Sequence, residues 1–404
     1  METLRIFTAG SVDDGKSTLI GRLLYDSKSI FEDQMDAIKL ASRNKGEDDI
    51  NLAYLTDGLR SEREQGITID VAYRYFSTPK RSFIIADTPG HAQYTRNMAT
   101  GASTAELGII LVDAQNGVLE QTRRHLFISQ LLGIKYLVIA VNKMDLVGYS
   151  KDVFDKISSD IEQLLTNKDN ISVTYIPISA KDGDNVVQKS ENMSWYDGVP
   201  VLEYIETISV DYGKEDAFFM PVQYVLRPNQ TYRGYAGQVV CGKISLGDDI
   251  QLLPANTTAK VTSITNCGKT VSSAEMGQSI AIEIDKDIDI SRGDVLCTED
   301  ESIKVGNDIT LNVVCFFDNE ITSGGRYTIL HNGQESQAII KNIECIDINT
   351  MMSSNVSKLN MNDIAQIKIK TSQPIVYTTY EDNRIGGSLI FISDNNTVMA
   401  GMII

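Results

Sequence analysis

The stretch LRIFTAGSVDDGKST (residues 4–18) decides the fold. Residues 4–9 form a β-rich apolar run, residues 10–17 complete the pattern GxxxxGK[ST], and helical periodicity starts at Lys16. A glycine-bounded turn between a strand and a helix is a phosphate cradle. Gly10 and Gly15 accept the backbone angles that turn successive amides inward, and the start of the helix adds positive potential. In that setting Lys16 reaches the β- and γ-phosphates and the Ser17 hydroxyl can ligate Mg2+. The loop's candidate nucleotide contacts are Gly10, Ser11, Val12, Asp13, Asp14, Gly15, Lys16, Ser17 and Thr18.

Three shorter motifs follow, each closing a strand-like run. Asp87, Thr88, Pro89 and Gly90 end SFIIAD (82–87); Asp87 can hold Mg2+ through water, and Gly90 can present its amide to a γ-phosphate. Asn142, Lys143 and Asp145, in NKMD, end YLVIAVN (136–142). The Asp145 carboxylate can accept two hydrogen bonds, from N1–H and the exocyclic amine of guanine, where adenine presents the wrong edge. A site built on such paired bonds rejects the mismatched base by ~10⁴-fold or more. Ser179, Ala180 and Lys181 end VTYIPIS (173–179) and can back the base with amides. The order of these motifs at successive strand ends points to an α/β GTP-binding domain.

The first half alternates such runs, including ELGIILVDA (106–114), with helical segments such as QTRRHLFISQLLG (121–133) and SKDVFDKISSDIEQLLTN (150–167). That alternation implies βαβ units and a mainly parallel sheet. The charged stretch 32–65 suggests one helix and a mobile loop. Near residue 211 the helical periods stop, and short alternating runs punctuated by Gly, Asn and Asp take over, which reads as antiparallel β barrels. The expected division is 1–210, 211–302 and 303–404. Two look-alikes of the phosphate loop fall in the second half. Gly237 to Lys243 fits GxxxxGK but is followed by Ile244, and Cys267 to Thr270 lacks the first glycine, with Ser263 in its place. Both read as barrel strands and turns, as does Ser323-Gly324-Gly325.

With 404 residues, 37 Lys+Arg and 54 Asp+Glu, the chain carries a formal net charge of −17. Such a field repels phosphodiester backbones, so no nucleic-acid partner is expected. The five cysteines are odd in number and form no CxxC pair, and His91, His125 and His331 are too few for a histidine-rich metal site. With no leader-like start and no apolar run of ~18 residues, a cytoplasmic protein without membrane contact is expected.

Several longer segments carry a family resemblance: GSVDDGKSTLIGRLLYDSK (10–28), DGLRSEREQGITIDVAYRYFST (57–78), IIADTPGHAQYTRNMATGAS (84–103), LVDAQNGVLEQTRRH (111–125), SAKDGDNVV (179–187) with MSWYDG (193–198), and RIGGSLIF (384–391). The chain resembles the translation-factor GTPases typified by elongation factor Tu. More narrowly, it is similar to the GTPase subunits of the heterodimeric bacterial sulfate adenylyltransferases, nearly end to end. The AYRYF and TRNMATGAS segments set this subfamily apart from protein-synthesis factors.

The resemblance implies a P-loop GTPase domain followed by two antiparallel β-barrel domains. It implies hydrolysis of GTP with Mg2+, coupled to formation of adenosine 5′-phosphosulfate and pyrophosphate from ATP and sulfate. The adenylyl transfer would lie on a smaller ATP- and sulfate-binding partner subunit. No adenylylsulfate kinase segment is expected, because the chain stops where the third domain should end. Thr68 would bind Mg2+ and the γ-phosphate, His91 would orient the attacking water, and Lys16 completes the catalytic set. Ser17, Thr68 and Asp87 form the metal set, and the segments around Thr68 and His91 would be the two switches. One departure stands at Ala92, where the family is expected to carry Glu. No arginine finger is nominated: Arg60, Arg63, Arg96 and Arg123 are candidates by position alone, and each could equally be a solvated side chain. The rival readings are a translation GTPase delivering a tRNA or release factor, and a scaffold that binds GTP without useful hydrolysis.

Overall fold

The computed structural model describes residues 3–27, 52, 62, 68–166, 170–210, 217–229, 232–317 and 321–404. The chain folds as two compact units, Met1–Val210 and Asp211–Ile404. Most of the stretch expected as a helix and mobile loop, 32–65, lies outside the described residues.

In the first unit, β1 (Thr3–Ala9), β2 (Ala72–Ser77), β3 (Ser82–Asp87), β4 (Leu107–Asp113), β5 (Tyr136–Asn142) and β6 (Ser172–Pro177) form one sheet in the order β2-β3-β1-β4-β5-β6. Five of these strands are parallel, and β2 runs antiparallel to β3 at the edge. Every residue of β4 is buried, as a central strand covered on both faces requires. In β2 burial alternates instead: Tyr73 and Tyr75 are exposed, while Phe76 is buried and stacks on Phe83 with ring centroids 4.6 Å apart. The strand-like runs in the sequence mark the five parallel strands; β2 is an addition, because a short edge strand with a wet face lacks a continuous apolar run.

Five α-helices cover the sheet among the described residues: α1 (Lys16–Asp26), α2 (Thr95–Ser103), α3 (Glu120–Leu131), α4 (Lys151–Glu162) and α5 (Val201–Thr207). In α4 the buried residues Phe154, Ile157 and Ile161 recur at helical spacing, which is why that segment forms an amphipathic helix. Helix α1 sinks Leu19, Ile20, Leu23 and Leu24 into a core shared with Leu4 and Ile6 of β1, Phe83 and Ile85 of β3, and Val201 and Ile205 of α5. Each such side chain contributes ~1.5–3 kcal/mol of burial. The helix that starts at the phosphate loop is therefore anchored along its length. The strand order reverses around β1, which leaves a crevice beyond the C-terminal ends of the parallel strands.

The second unit is antiparallel β throughout its sheets. One sheet runs, neighbour to neighbour, through Phe219–Pro221, Val295–Cys297, Asp249–Leu253, Thr257–Asn266, Ser279–Ile284, Gly234–Gln238 and Tyr224–Leu226. A bridge between Phe219 and Cys241 rolls it into a barrel. The other sheet runs through Arg326–His331, Ser388–Ser393, Asn396–Ile403, Lys304–Cys315, Ile364–Tyr377 and Gln334–Ile346, and the last strand pairs back to the first, closing a second barrel. Each barrel has its own apolar core. The look-alike motifs fall where a β reading puts them: Gly237 lies inside a strand, Cys267 and Gly268 form a turn with φ of 47° and 77°, and Gly324 turns at φ 82°. All five cysteines are free. No described helix is long and apolar enough to cross a membrane.

Candidate nucleotide site

The phosphate loop joins β1 to α1. Gly15 caps α1 in the left-handed region at φ 94°, and a Cβ there would lie 2.3 Å from Asn142 Nδ2, so the position demands glycine twice over. Asp13 also sits at positive φ, 66°. Asp14 turns inward, and its Oδ2 accepts a 2.6 Å hydrogen bond from Ser11 N. Lys16 is buried, and its Nζ donates to the carbonyls of Gly10 (2.9 Å) and Ser11 (2.8 Å). The Ser11 hydroxyl is buried without a hydrogen-bond partner, and the half-buried Ser17 and Thr18 hydroxyls bond no described residue. A buried ammonium resting on two carbonyls, beside unpartnered hydroxyls, is a set of groups arranged for an anionic ligand.

Next to this loop stands the end of β3. Asp87 is buried; Thr8 Oγ1 donates to its Oδ1 over 3.4 Å, and Thr88 Oγ1 donates to Thr8 O over 2.6 Å, tying β3 to β1. Burial pushes the Asp87 carboxyl up to about 6, against the pull of Lys16 and Arg74. Burial likewise pushes Asp14 up to about 6 and draws the Lys16 ammonium below the ordinary lysine value. Gly90 packs onto the phosphate loop, where a Cβ would come within 2.5 Å of Gly10 O. His91 is exposed, and its Nδ1 accepts from Gln93 N at 3.4 Å. Thr68 is half-buried. Among the described residues, neither Thr68 nor His91 hydrogen-bonds the phosphate loop. Arg96 is exposed and Arg123 half-buried; Arg60 and Arg63 lie outside the described residues.

The base motifs converge from two more strands. Asn142, the last residue of β5, donates from Nδ2 to Asp14 O (2.7 Å) and accepts at Oδ1 from Ala180 N (2.9 Å). One side chain thus joins the phosphate loop to the turn after β6. Lys143, at φ 62°, pairs with Asp113 at the end of β4 over 2.8 Å. The Asp145 carboxylate, by contrast, bonds no described residue. A carboxylate that bonds no described residue, beside two neighbours that do, suits a ligand that donates two hydrogen bonds.

Sequence reading missed four residues of this arrangement. Asp113 fixes Lys143. Glu62 is buried and accepts from Ile69 N (3.0 Å) and Asp70 N (3.4 Å), just after Thr68, while Asn97 of α2 holds Ile69 O over 2.9 Å. Arg22 of α1 reaches the carbonyls of Ala180 and Lys181. Of these, the acidic end of the β4 run was a visible signal for Asp113; nothing local marks the other three.

The elongation factor Tu GTP binding domain family matches residues 1–216, and the GTP-eEF1A C-terminal domain-like family matches residues 308–404. The chain is 48% identical over 412 residues to sulfate adenylyltransferase subunit 1 of Aliarcobacter butzleri, covering 100% of this chain and 87% of that protein. It is 46% identical over 411 residues to the subunit 1 of Buchnera aphidicola, covering 99% of this chain and 86% of that protein. The chain belongs to the sulfate adenylyltransferase subunit 1 family. Its first 216 residues carry the elongation factor Tu-type GTP binding domain. Among solved structures, Sup35 complexed with GDP aligns with a TM-score of 0.45 at 21% identity, over 100% of this chain and 94% of that one.

Proposed function

We propose that this protein is the GTP-hydrolysing subunit of a sulfate adenylyltransferase, coupling GTP hydrolysis to the formation of adenosine 5′-phosphosulfate and pyrophosphate from ATP and sulfate. The adenylyl transfer itself belongs to a smaller partner subunit that binds ATP and sulfate. The observation that carries the GTPase reading is the Asn142 bridge. It ties the phosphate loop to the turn after β6 from a position three residues ahead of Asp145, whose carboxylate bonds no described residue and can take the guanine edge. The three-domain division 1–210, 211–302 and 303–404 belongs to the same proposal.

In this reading Gly10 to Thr18 wrap the phosphates, Lys16 leaves its two carbonyls for phosphate oxygens, and Asp145 takes the guanine edge. Ser179, Ala180 and Lys181 back the base. Ser17, Thr68 and Asp87 would hold Mg2+, which supplies charge neutralisation at the phosphate oxygens when bound. The residues present fit that ion. They are hard oxygen donors, the Ser17 hydroxyl bonds no described residue, and the raised Asp87 carboxyl marks a buried acid whose neighbours do not offset its burial. No group of three or more His, Cys, Asp or Glu side chains able to hold a metal occurs among the described residues, so a cation here draws ligands from the nucleotide and water as well. His91 orients the water for in-line attack, and the exposed position of its ring leaves it free to swing toward the phosphate loop. The thermodynamic role follows from the product. A phosphoric–sulfuric anhydride is unfavourable to form, and hydrolysis of a second nucleotide can drive it only if the partner binds the GTP and GDP states differently.

The test is GTP turnover by the purified chain alone, with the partner subunit, and with the partner plus ATP and sulfate. Turnover is expected to rise with the partner and its substrates; equal rates in all three would remove the coupling. Binding of tRNA or ribosomes at moderate salt would favour the translation reading instead.

A further inference from the structure

We propose that Tyr149 is a positioning residue for guanine selection: it closes the loop that carries Asp145 and, through Asp184 and Trp195, clamps that loop to the segment that follows β6. This rests on the guanine-nucleotide reading of the crevice.

Asp145 lies in a short helical turn, Met144–Val147, just beyond β5. Its carboxylate bonds no described residue, so its aim is set by the backbone that carries it. That backbone forms a closed ring. Met144 N donates to Ile178 O over 3.2 Å, which seats the first residue of the ring beside the end of β6. Gly148 N donates to Asp145 O over 3.3 Å, and Tyr149 N donates to Met144 O over 2.8 Å, five residues back. Tyr149 makes this closing bond at φ 56°, in the left-handed region. A residue with a Cβ stays there only when other contacts hold it.

Two contacts do so. Tyr149 Oη donates to Asp184 Oδ2 over 3.1 Å, and Trp195 Nε1 donates to Tyr149 O over 3.0 Å. Both partners are themselves fixed. Asp184 O accepts from Ser179 N (3.1 Å), and Asp184 Oδ1 accepts from Ser190 Oγ (2.6 Å). The Trp195 ring packs on Phe154 of α4, with centroids 5.4 Å apart. Desolvation, followed by the bond to Asp184, pushes the Tyr149 phenol up to about 12, so its hydroxyl remains a donor at neutral pH. The consequence is a division of roles between two carboxylates. Asp184 is engaged by two hydroxyls, whereas Asp145 is left to accept from the N1–H and 2-amine of guanine. Tyr149 touches neither base nor phosphate in this scheme; it acts through the loop.

The experiment compares the full-length parent with Tyr149→Phe, Trp195→Phe, Asp184→Ala and the double variant Tyr149→Phe/Asp184→Ala, by displacement of fluorescent GDP in the presence of Mg2+. The competitors are GDP and the diphosphate of purine riboside, which keeps the ring and the phosphates but has neither the N1 proton nor the 2-amine. Tyr149→Phe is expected to weaken GDP about tenfold, the scale of one hydrogen bond to a charged group, and to leave the purine riboside nucleotide unchanged. Trp195→Phe keeps an aromatic ring on Phe154 but has no N–H, and should weaken GDP in the same selective way. The double variant should bind GDP no more weakly than Asp184→Ala, because the phenol then has no acceptor to hold. Parallel loss of both nucleotides would make Tyr149 a general structural support. Unchanged GDP affinity would make it irrelevant to the base, and additive losses in the double variant would mean that it does not act through Asp184; each of these results overturns the proposal. A parent that binds no guanine nucleotide fails the underlying reading instead, and is seen before any variant is made.

Discussion

Gly90 packs directly against Lys16: a Cβ at Gly90 would lie 2.5 Å from Lys16 Nζ and equally close to Gly10 O. The turn that follows β3 and the loop that follows β1 therefore meet at the van der Waals limit, with the buried ammonium between them. A change at the terminal phosphate must be felt by this turn, because nothing larger than hydrogen fits there.

Gly90→Ala forces the two loops apart by a fraction of an ångström or more. Misplacement on that scale costs roughly 10- to 100-fold in a reaction that depends on positioning. We expect single-turnover GTP hydrolysis to slow by that factor while GDP affinity stays at the parent value. Unchanged hydrolysis would mean that the turn does not report on the phosphate.

Asn142→Ala removes both links of the bridge and leaves Asp14 O and Ala180 N unpaired in a buried site. Each orphaned group costs about 1–3 kcal/mol. GDP affinity should fall at least about tenfold on that scale, together with a lower melting temperature. A stability loss with parental GDP affinity would show that the bridge supports the fold and not the site.

The contrast between Gly15 and Arg22 shows how far the sequence carries. Gly15 is legible because its role is local: a left-handed helix cap between Asp14 and Lys16 needs glycine whatever the rest of the chain does. The ends of β3, β5 and β6 are legible for a related reason, since an apolar run that stops at Asp87, Asn142 or Pro177 stops at the rim of a parallel sheet. Arg22 and Glu62 carry no such mark. Arg22 meets carbonyls 158 and 159 residues away, and an arginine on a helix face gives no sign of which carbonyl it will reach. Asn142 is legible as part of a nucleotide-binding motif, but the two partners of its amide within the protein, the phosphate loop and the next turn, carry no local mark. The edge strand β2 escaped notice because Tyr73 and Tyr75 face outward and break the apolar run.

The raised Asp14 carboxyl makes a pH prediction with a definite sign. Burial lifts it from 3.8 to about 6, so between those values the folded chain keeps a proton that the unfolded chain releases. Stability contributed by this group is complete below pH 3.8, is lost as pH rises through about 6, and then levels off. Asp14→Asn cannot titrate. In denaturant unfolding without nucleotide, the variant should gain on the parent by up to ~3 kcal/mol between pH 4 and pH 6.5. A constant difference across that range would contradict the burial argument.

Asp145→Asn converts the free carboxylate into an amide that can donate where guanine also donates. GTP affinity should fall by about 100-fold or more, given the cost of leaving paired donors unmatched. Xanthosine triphosphate, which carries an oxygen in place of the 2-amine, should bind the variant better than the parent. Equal GTP affinity in the two proteins would remove Asp145 from the base pocket.

The most direct test of the whole account is a calorimetric titration of the purified chain, in Mg2+ buffer, with GDP, with GTP and with ATP. The account requires one guanine nucleotide bound per chain, with ATP silent under the same conditions. No heat with either guanine nucleotide, or equal binding of ATP, would contradict it.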